Sequence, residues 1–175
     1  MRYRRAYVTG ATYFFTVAIA ERDKTLLVDY HDILREAFRK VKVNQPFKID
    51  AIVILPDHLH TIWTLPENDA DFSTRWGLIK ASFSRKLIRN ERISSSRLNK
   101  GERGIWQRRF WEHLIRDERD FEQHVDYIHY NPVKHGYTSK PNKWPFSSIH
   151  QFIEKGIIMP NWGEDITIEG DYGER

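Results

Sequence analysis

Cysteine is absent from the 175 residues. Disulfides and thiolate metal centres are therefore excluded, which suits a reducing cytoplasm. Long apolar runs are missing too. None approaches the roughly 20 residues that a membrane helix needs, so no membrane partner is expected. The start is basic, Met1-Arg2-Tyr3-Arg4-Arg5, and residues 13–20 are apolar. That run is short and carries no small-residue cleavage site, so it reads as a strand rather than a secretion signal. Internal repeats and low-complexity tracts are also lacking. What remains is a globular composition, 40% hydrophobic and 14% aromatic, long enough to bury a core.

Charge is modest in total and uneven in place. The net charge is +4. Residues 75–119 hold 13 Lys/Arg against five Asp/Glu, whereas residues 161–175 hold five acids and one base. A basic middle with a pI near 9.3 suits a polyanionic partner such as nucleic acid. A solvated helix face with a charged loop gives the same count.

Along the chain, residues 13–19 are rich in aromatic and β-branched side chains and form a first strand. Leu34, Ala37, Phe38 and Val41 repeat at helical spacing within a helix over about 29–43, ended by Asn44-Gln45-Pro46. Strands at about 48–55 and 58–65 flank Pro56-Asp57 and should pair as a hairpin. Ser73 or Thr74 caps a second helix reaching about residue 89, with Trp76, Ile79, Phe83 and Leu87 buried. Residues 90–104 read as a mobile basic loop, and 105–115 as a fourth strand broken near 107–109. Within it Trp111 reads as core, while Glu112 and His113 fall on opposite faces. A third helix over 117–131 should end or kink at Pro132, and a short helix ends near Gly156. The order β-α-β-β-α-β-α predicts an α+β fold. It is a ferredoxin-like split βαβ, a four-stranded antiparallel sheet with helices on one face plus a C-terminal helix. Residues 1–156 form the domain, and 157–175 an acidic, flexible tail that either stays solvated or covers the basic groove.

Two stretches carry chemistry. In strand three, His58 and His60 stand on one face, with Leu59 turned away. Two imidazoles on a central, stiff strand are a ready pair of metal ligands, although a half-exposed strand can carry the same pattern. In helix three, Phe121, Val125 and Ile128 face the core. Asp120, His124, Tyr127 and Asn131 form the neighbouring stripe. Tyr127 and Asn131 lie one turn apart, so a phenol and an amide carbonyl are offered together.

His58-Leu59-His60 resembles the His-hydrophobe-His motif of HUH nucleases, and Tyr127 with a polar residue four positions on resembles their single-tyrosine transposase branch. With Trp106-Gln107-Arg108-Arg109-Phe110-Trp111-Glu112-His113, Asn131-Pro132-Val133-Lys134-His135-Gly136 and Trp144-Pro145-Phe146-Ser147-Ser148, the chain is similar to REP-associated tyrosine transposases over about residues 4–152. The resemblance implies an enzyme that cuts single-stranded DNA at REP-type hairpins, forms a 5′-phosphotyrosine link and frees a 3′-hydroxyl. Tyr127 would be the nucleophile, and His58, His60 and Asn131 the ligands of Mg²⁺ or Mn²⁺, with imidazole favouring Mn²⁺. Many relatives outside this subgroup carry Gln where Asn131 stands. Asn is shorter, so His124 is an alternative third ligand.

Single strands are held by basic grooves and stacking aromatics. Arg4, Arg5 and Tyr7 are candidates for an unpaired tetranucleotide at the hairpin foot. Arg85, Arg89, Arg97, Lys100, Arg108 and Arg109 are candidates for the hairpin backbone. The expected place of work is the cytoplasm, on the nucleoid, as monomer or homodimer. Two other readings use the same residues: a hairpin-binding protein that does not cut, and a nicking enzyme of plasmid replication or conjugation.

Overall fold

The computed structural model describes residues 5–170 and 172–174. The elements are β1 (Thr12–Ala18), α1 (Leu26–Asp29), α2 (His31–Asn44), β2 (Lys48–Ile54), β3 (His58–Thr64), α3 (Phe72–Lys86), α4 (Ser95–Leu98), β4 (Trp111–Leu114), α5 (Glu118–Lys134) and α6 (Ile149–Glu154). The four strands form one antiparallel sheet in the order β2-β3-β1-β4. This is the ferredoxin-like order, with β3 beside β1 in the middle.

Alternation along the strands splits the core into two layers. Tyr13, Phe15 and Val17 of β1 and Leu59 and Trp63 of β3 face α2 and α3. They meet the stripes Leu34, Ala37, Phe38, Val41 and Trp76, Ile79, Phe83, Leu87. Trp63 stacks on Trp76 at 4.2 Å. Phe14, Ile62, Ala51 and Val53 face the other way, against Val125, Tyr127 and Ile128 of α5. The two ferredoxin-like helices thus cover one face, and α5 lies over the other. His58 and His60 point to the α5 side, on the same face as Ile62.

The Trp-Pro-Phe-Ser-Ser stretch closes the β2 edge. Ile54 N donates to Phe146 O and Ser148 N to Ile52 O, each at 2.8 Å, and Trp144 Nε1 donates to Ile54 O at 2.9 Å. Ser148 Oγ accepts from Ile52 N and meets His129 Nε2 at 2.9 Å. An edge strand that would otherwise offer unpaired backbone groups is therefore covered.

Several local expectations change. The cap of α3 is Asp71, whose carboxylate accepts from Thr74 N; Ser73 and Thr74 already lie inside the helix. Pro132 does not end α5, which runs on to Lys134. Proline forfeits its own N–H but still accepts, and the helix closes three residues later. There Gly136 N bonds Val133 O and Tyr137 N bonds Pro132 O, with Gly136 at φ 73°. This is the glycine-terminated end that satisfies the last carbonyls. Residues 90–104 contain α4, and Arg103 binds Glu91 bidentately as well as the carbonyls of Ser84, Leu87 and Ile88. Trp111 is 42% exposed: it opens the edge strand β4 and, paired with Thr16, stands on the α5 face beside Gly173 of the tail. Described residues of the C-terminal stretch return to the domain. Lys140 pairs with Glu164, and Tyr172 packs on Tyr127 at 3.9 Å.

Candidate active site

The site forms where β3 faces the C-terminal half of α5. The His58 and His60 rings lie 5.0 Å apart at 84°, and His60 lies 5.3 Å from the Tyr127 ring. His135, at the end of α5, comes within 5.1 Å of His58. One chain supplies all of these groups. His58, His60, Tyr127 and Asn131 are almost fully buried, at 1%, 0%, 1% and 0% exposure.

Each imidazole has one nitrogen tied down, which fixes the other. His58 Nδ1 donates to Asp57 Oδ1 at 2.7 Å, and Arg22 Nε holds the other carboxylate oxygen. His58 Nε2 is then a bare lone pair, buried without a partner among the described residues. Thr16 gives its hydroxyl proton to Tyr172 O at 2.6 Å, so it accepts from His60 Nδ1 at 2.8 Å. His60 Nε2 likewise keeps a lone pair. Asn131 Oδ1 is also buried and unpartnered. His58 Nε2 and Asn131 Oδ1, two buried acceptors with no donor among the described residues, are costly unless a cation or proton is shared.

Protons are disfavoured here. Burial pushes His60 down to about 3 and lowers His58, with Asp57 only partly opposing it. Burial would raise Asp57, but the hydrogen bonds from His58 and Arg22 hold it at about 2. Neutral imidazole nitrogens and an amide oxygen are donor types that a divalent ion accepts. Their outer hydrogen bonds to Asp57 and Thr16 are those that orient metal-bound histidines.

Glu174, from the tail, reaches into this cluster. Its Oε1 lies 3.0 Å from His60 Nε2, 2.8 Å from Asn131 Nδ2 and 3.3 Å from His135 Nε2, and it accepts the Tyr127 hydroxyl. Its Oε2 takes Lys134 Nζ at 2.8 Å. Burial would raise this carboxyl, yet the donors around it hold it far below the carboxylate range. Two acceptors, His60 Nε2 and a carboxylate oxygen, thus face each other, an arrangement that a cation relieves. His58, His135 and Glu174 offer ligand atoms within 4.8 Å of one another.

His124 stands elsewhere. Its Nδ1 meets the Asp120 carbonyl at 2.7 Å, and its ring stacks on His113 at 4.6 Å. His113 binds Asp120 Oδ2 at 2.8 Å, and Arg116 Nε binds it at 3.1 Å. This is a hydrogen-bonded cluster neutralised by Arg116. The ring of Phe14 contacts both His60 and His124. Of the two β4 candidates, His113 pairs with Phe14 on the α5 face. Glu112 pairs with Phe15 on the other face, 3.3 Å from Arg5.

The basic residues gather apart from this cluster. Lys80, Arg85, Arg97, Arg103 and Arg108 line a groove of about 430 Å³. It lies beside α3, which packs on the sheet face away from His58 and His60. Burial drops Lys80 to about 8. Arg97 donates to Trp106 O, and Arg108 holds Glu102 at 2.8 Å. Arg85, Arg89, Lys100 and Arg109 are exposed. Tyr7 is exposed and stacks on Phe72 at 5.1 Å, and Arg5 lies 4.3 Å over the Phe110 ring. Arg4 lies outside the described residues. Lys134 and His135 lie beyond the expected helix end, and Glu174 belongs to the tail expected to stay solvated or cover the basic groove; the structure brings all three to the His58–His60 cluster.

Comparison with known proteins places the chain. The family described as "Transposase IS200 like" matches residues 7–131. A REP-associated tyrosine transposase of Escherichia coli (strain K12) is 45% identical over 173 residues, covering 99% of this chain and 96% of the relative. A Haemophilus influenzae relative is also 45% identical, over 172 residues, covering 97% and 98%. A solved structure of a REP-associated tyrosine transposase bound to a REP hairpin superposes with a TM-score of 0.85 at 44% identity, covering 100% of this chain and 98% of that one. The chain belongs to the IS200-like transposases, enzymes that act on DNA, and within them to the REP-associated tyrosine transposases. The IS200-like family is generally metal-dependent. No helix among the described residues is long and apolar enough to cross a membrane.

Proposed function

We propose that this protein is a metal-dependent, site-specific single-strand DNA nuclease and strand transferase acting on REP-type hairpins through a 5′-phosphotyrosine intermediate. One observation carries the reading: His60 Nε2, Asn131 Nδ2 and the Tyr127 hydroxyl converge on one Glu174 oxygen, and His58 Nε2 and Asn131 Oδ1 are buried there without a partner among the described residues. His58, His60 and Asn131 would hold Mn²⁺ or Mg²⁺, the imidazoles favouring Mn²⁺. The ion would supply Lewis-acid polarisation of a phosphate oxygen. Asp57 and Thr16 keep both imidazoles in the ligating tautomer. Tyr127 is positioned as nucleophile, and a phosphotyrosine ester stores the bond energy for rejoining without ATP. The exposed Arg85, Arg89, Lys100 and Arg109, with Arg97 and Arg108 and the N-terminal Arg4, Arg5 and Tyr7, would carry the hairpin. Residues 1–156 hold this chemistry, and the tail from 157 closes over it. The place of work on this reading is the cytoplasm, with the chromosome.

The test is cleavage of an end-labelled single-stranded hairpin with its flanking sequence, in Mn²⁺. Wild type is expected to leave a protein–DNA adduct that Tyr127→Phe does not form. An adduct of undiminished yield in Tyr127→Phe overturns the nucleophile assignment.

A second reading, a hairpin-binding protein that does not cut, is favoured by the carboxylate of Glu174 on the Tyr127 hydroxyl. The same assay on Glu174→Gln separates the two. Binding without any adduct in either protein selects the second.

A further inference from the structure

We propose that Lys134 couples the nucleophile to the phosphate it attacks; the inference rests on Tyr127 being that nucleophile. Lys134 is the last residue of α5, seven positions after Tyr127, two turns on and on the same face. Helix side chains lean towards the N-terminus, so the lysine reaches back along the helix. Its Nζ lies 2.9 Å from the Tyr127 hydroxyl and 4.7 Å from the ring centroid.

An ammonium has three protons, and Lys134 has three partners. They are the Tyr127 oxygen, Glu174 Oε2 at 2.8 Å and the Gly170 carbonyl at 2.8 Å. Two of these belong to the tail, and the third is the reacting atom. When the tail yields to DNA, two protons are released and the one on Tyr127 stays. A carboxylate and a phosphodiester share the same chemistry of paired anionic oxygens. Glu174 therefore stands where the scissile phosphate sits, with Oε2 in place of a non-bridging oxygen on Lys134. Its Oε1, near His60, Asn131 and His135, takes the place of the oxygen over the metal ligands. Lys134 holds attacking and attacked groups at hydrogen-bond distance from one cation.

The step balances without a further reactant. Tyr127 loses its phenolic proton to solvent, and the ammonium stabilises the phenolate without accepting that proton. The Tyr127 oxygen–phosphorus bond forms as the phosphorus–O3′ bond breaks, and the O3′ oxyanion takes a proton from solvent. Lys134 stays an ammonium throughout. Rejoining runs the same bonds backwards.

Single-turnover cleavage of the labelled hairpin is followed from pH 6 to 10 in Lys134→Met, Lys134→Gln and Lys134→Arg, in the wild-type and Glu174→Gln backgrounds, with Tyr127→Phe alongside. Thermal melting and hairpin affinity are measured for each. The neutral variants are expected to lose about tenfold to a hundredfold at pH 7, with the rising limb of the profile moved up by about one unit or more, because a nearby cation favours the ionised phenol. Lys134→Arg, which keeps charge and donors, should recover most of the rate and the wild-type limb. A purely structural lysine would change melting and leave the limb in place. Wild-type rates and an unmoved limb in a folded neutral variant, with Tyr127→Phe inactive, overturn the role of Lys134 alone. Adduct formation by Tyr127→Phe overturns the function reading beneath it.

Discussion

Acid should unfold this protein early, and its buried histidines set the pH window. His60 and His129 are 0% and 1% exposed, and burial pushes both down to about 3. An unfolded histidine titrates near 6.5. The folded state therefore binds fewer protons than the unfolded chain at any pH between these values. The stability linked to each neutral ring is complete above about 6.5 and is lost as pH falls from there towards 3. Integrating the proton difference from pH 7.5 to 5 gives a loss of about 2 kcal/mol per ring, hence about 4 kcal/mol for the pair. His58 and His124, also lowered by burial, act in the same direction. The depressed carboxylates Asp57, Asp120 and Glu174 lose their contribution only at lower pH. Urea unfolding followed by circular dichroism at pH 7.5, 6.5, 5.5 and 5.0 measures the slope. His129→Gln, away from the candidate site, should lower stability at pH 7.5 and remove about 2 kcal/mol of the acid loss. An unfolding free energy constant within about 1 kcal/mol across this range would refute the reasoning, since no buried neutral ring could then be titrating on unfolding.

Three further outcomes follow from the same contacts. Thr16→Val removes the acceptor that fixes His60 Nδ1 and should weaken Mn²⁺ binding by about tenfold to a hundredfold in calorimetry; unchanged affinity would detach Thr16 from the metal site. Glu174→Gln keeps the shape and removes the charge facing Lys134 and His60, so cleavage should rise and less DNA should be needed for half-maximal rate; an unchanged or lower rate contradicts a displaced tail. Arg85→Ala with Arg89→Ala should reduce the slope of log affinity against log salt by about one to two, measured by fluorescence anisotropy on the hairpin; an unaltered slope removes both from the interface.

Much of the layer structure is legible in the residues. The stripes of α2 and α3 bury as their spacing predicts, because an apolar face at period 3.6 has only one place to go. His58 and His60 share a face for the reason any i, i+2 pair on a strand does. Their tautomers are not legible, because Thr16 lies on a neighbouring strand whose register was unknown. Pro132 was a misleading stop signal: a proline near a helix end costs one hydrogen bond, and the glycine turn at Gly136 supplies the closure instead. Lys134 and His135 were hidden behind it. Glu174 was least accessible of all. It lies 114 positions from His60, in a stretch with no periodicity, and its charge points only to the basic groove. Trp111 has the size of a core residue, whereas its place on the edge strand decides its exposure.

The most direct measurement is the identity of the residue that carries DNA after cleavage. The hairpin is cut in Mn²⁺, the adduct is digested with protease and nuclease, and the nucleotide-bearing peptide is sequenced by mass spectrometry. The account predicts a phosphoester on Tyr127, formed with divalent metal present and lost in His58→Ala. A nucleotide on any other residue, or undiminished attachment to Tyr127 in His58→Ala under chelation, would contradict it.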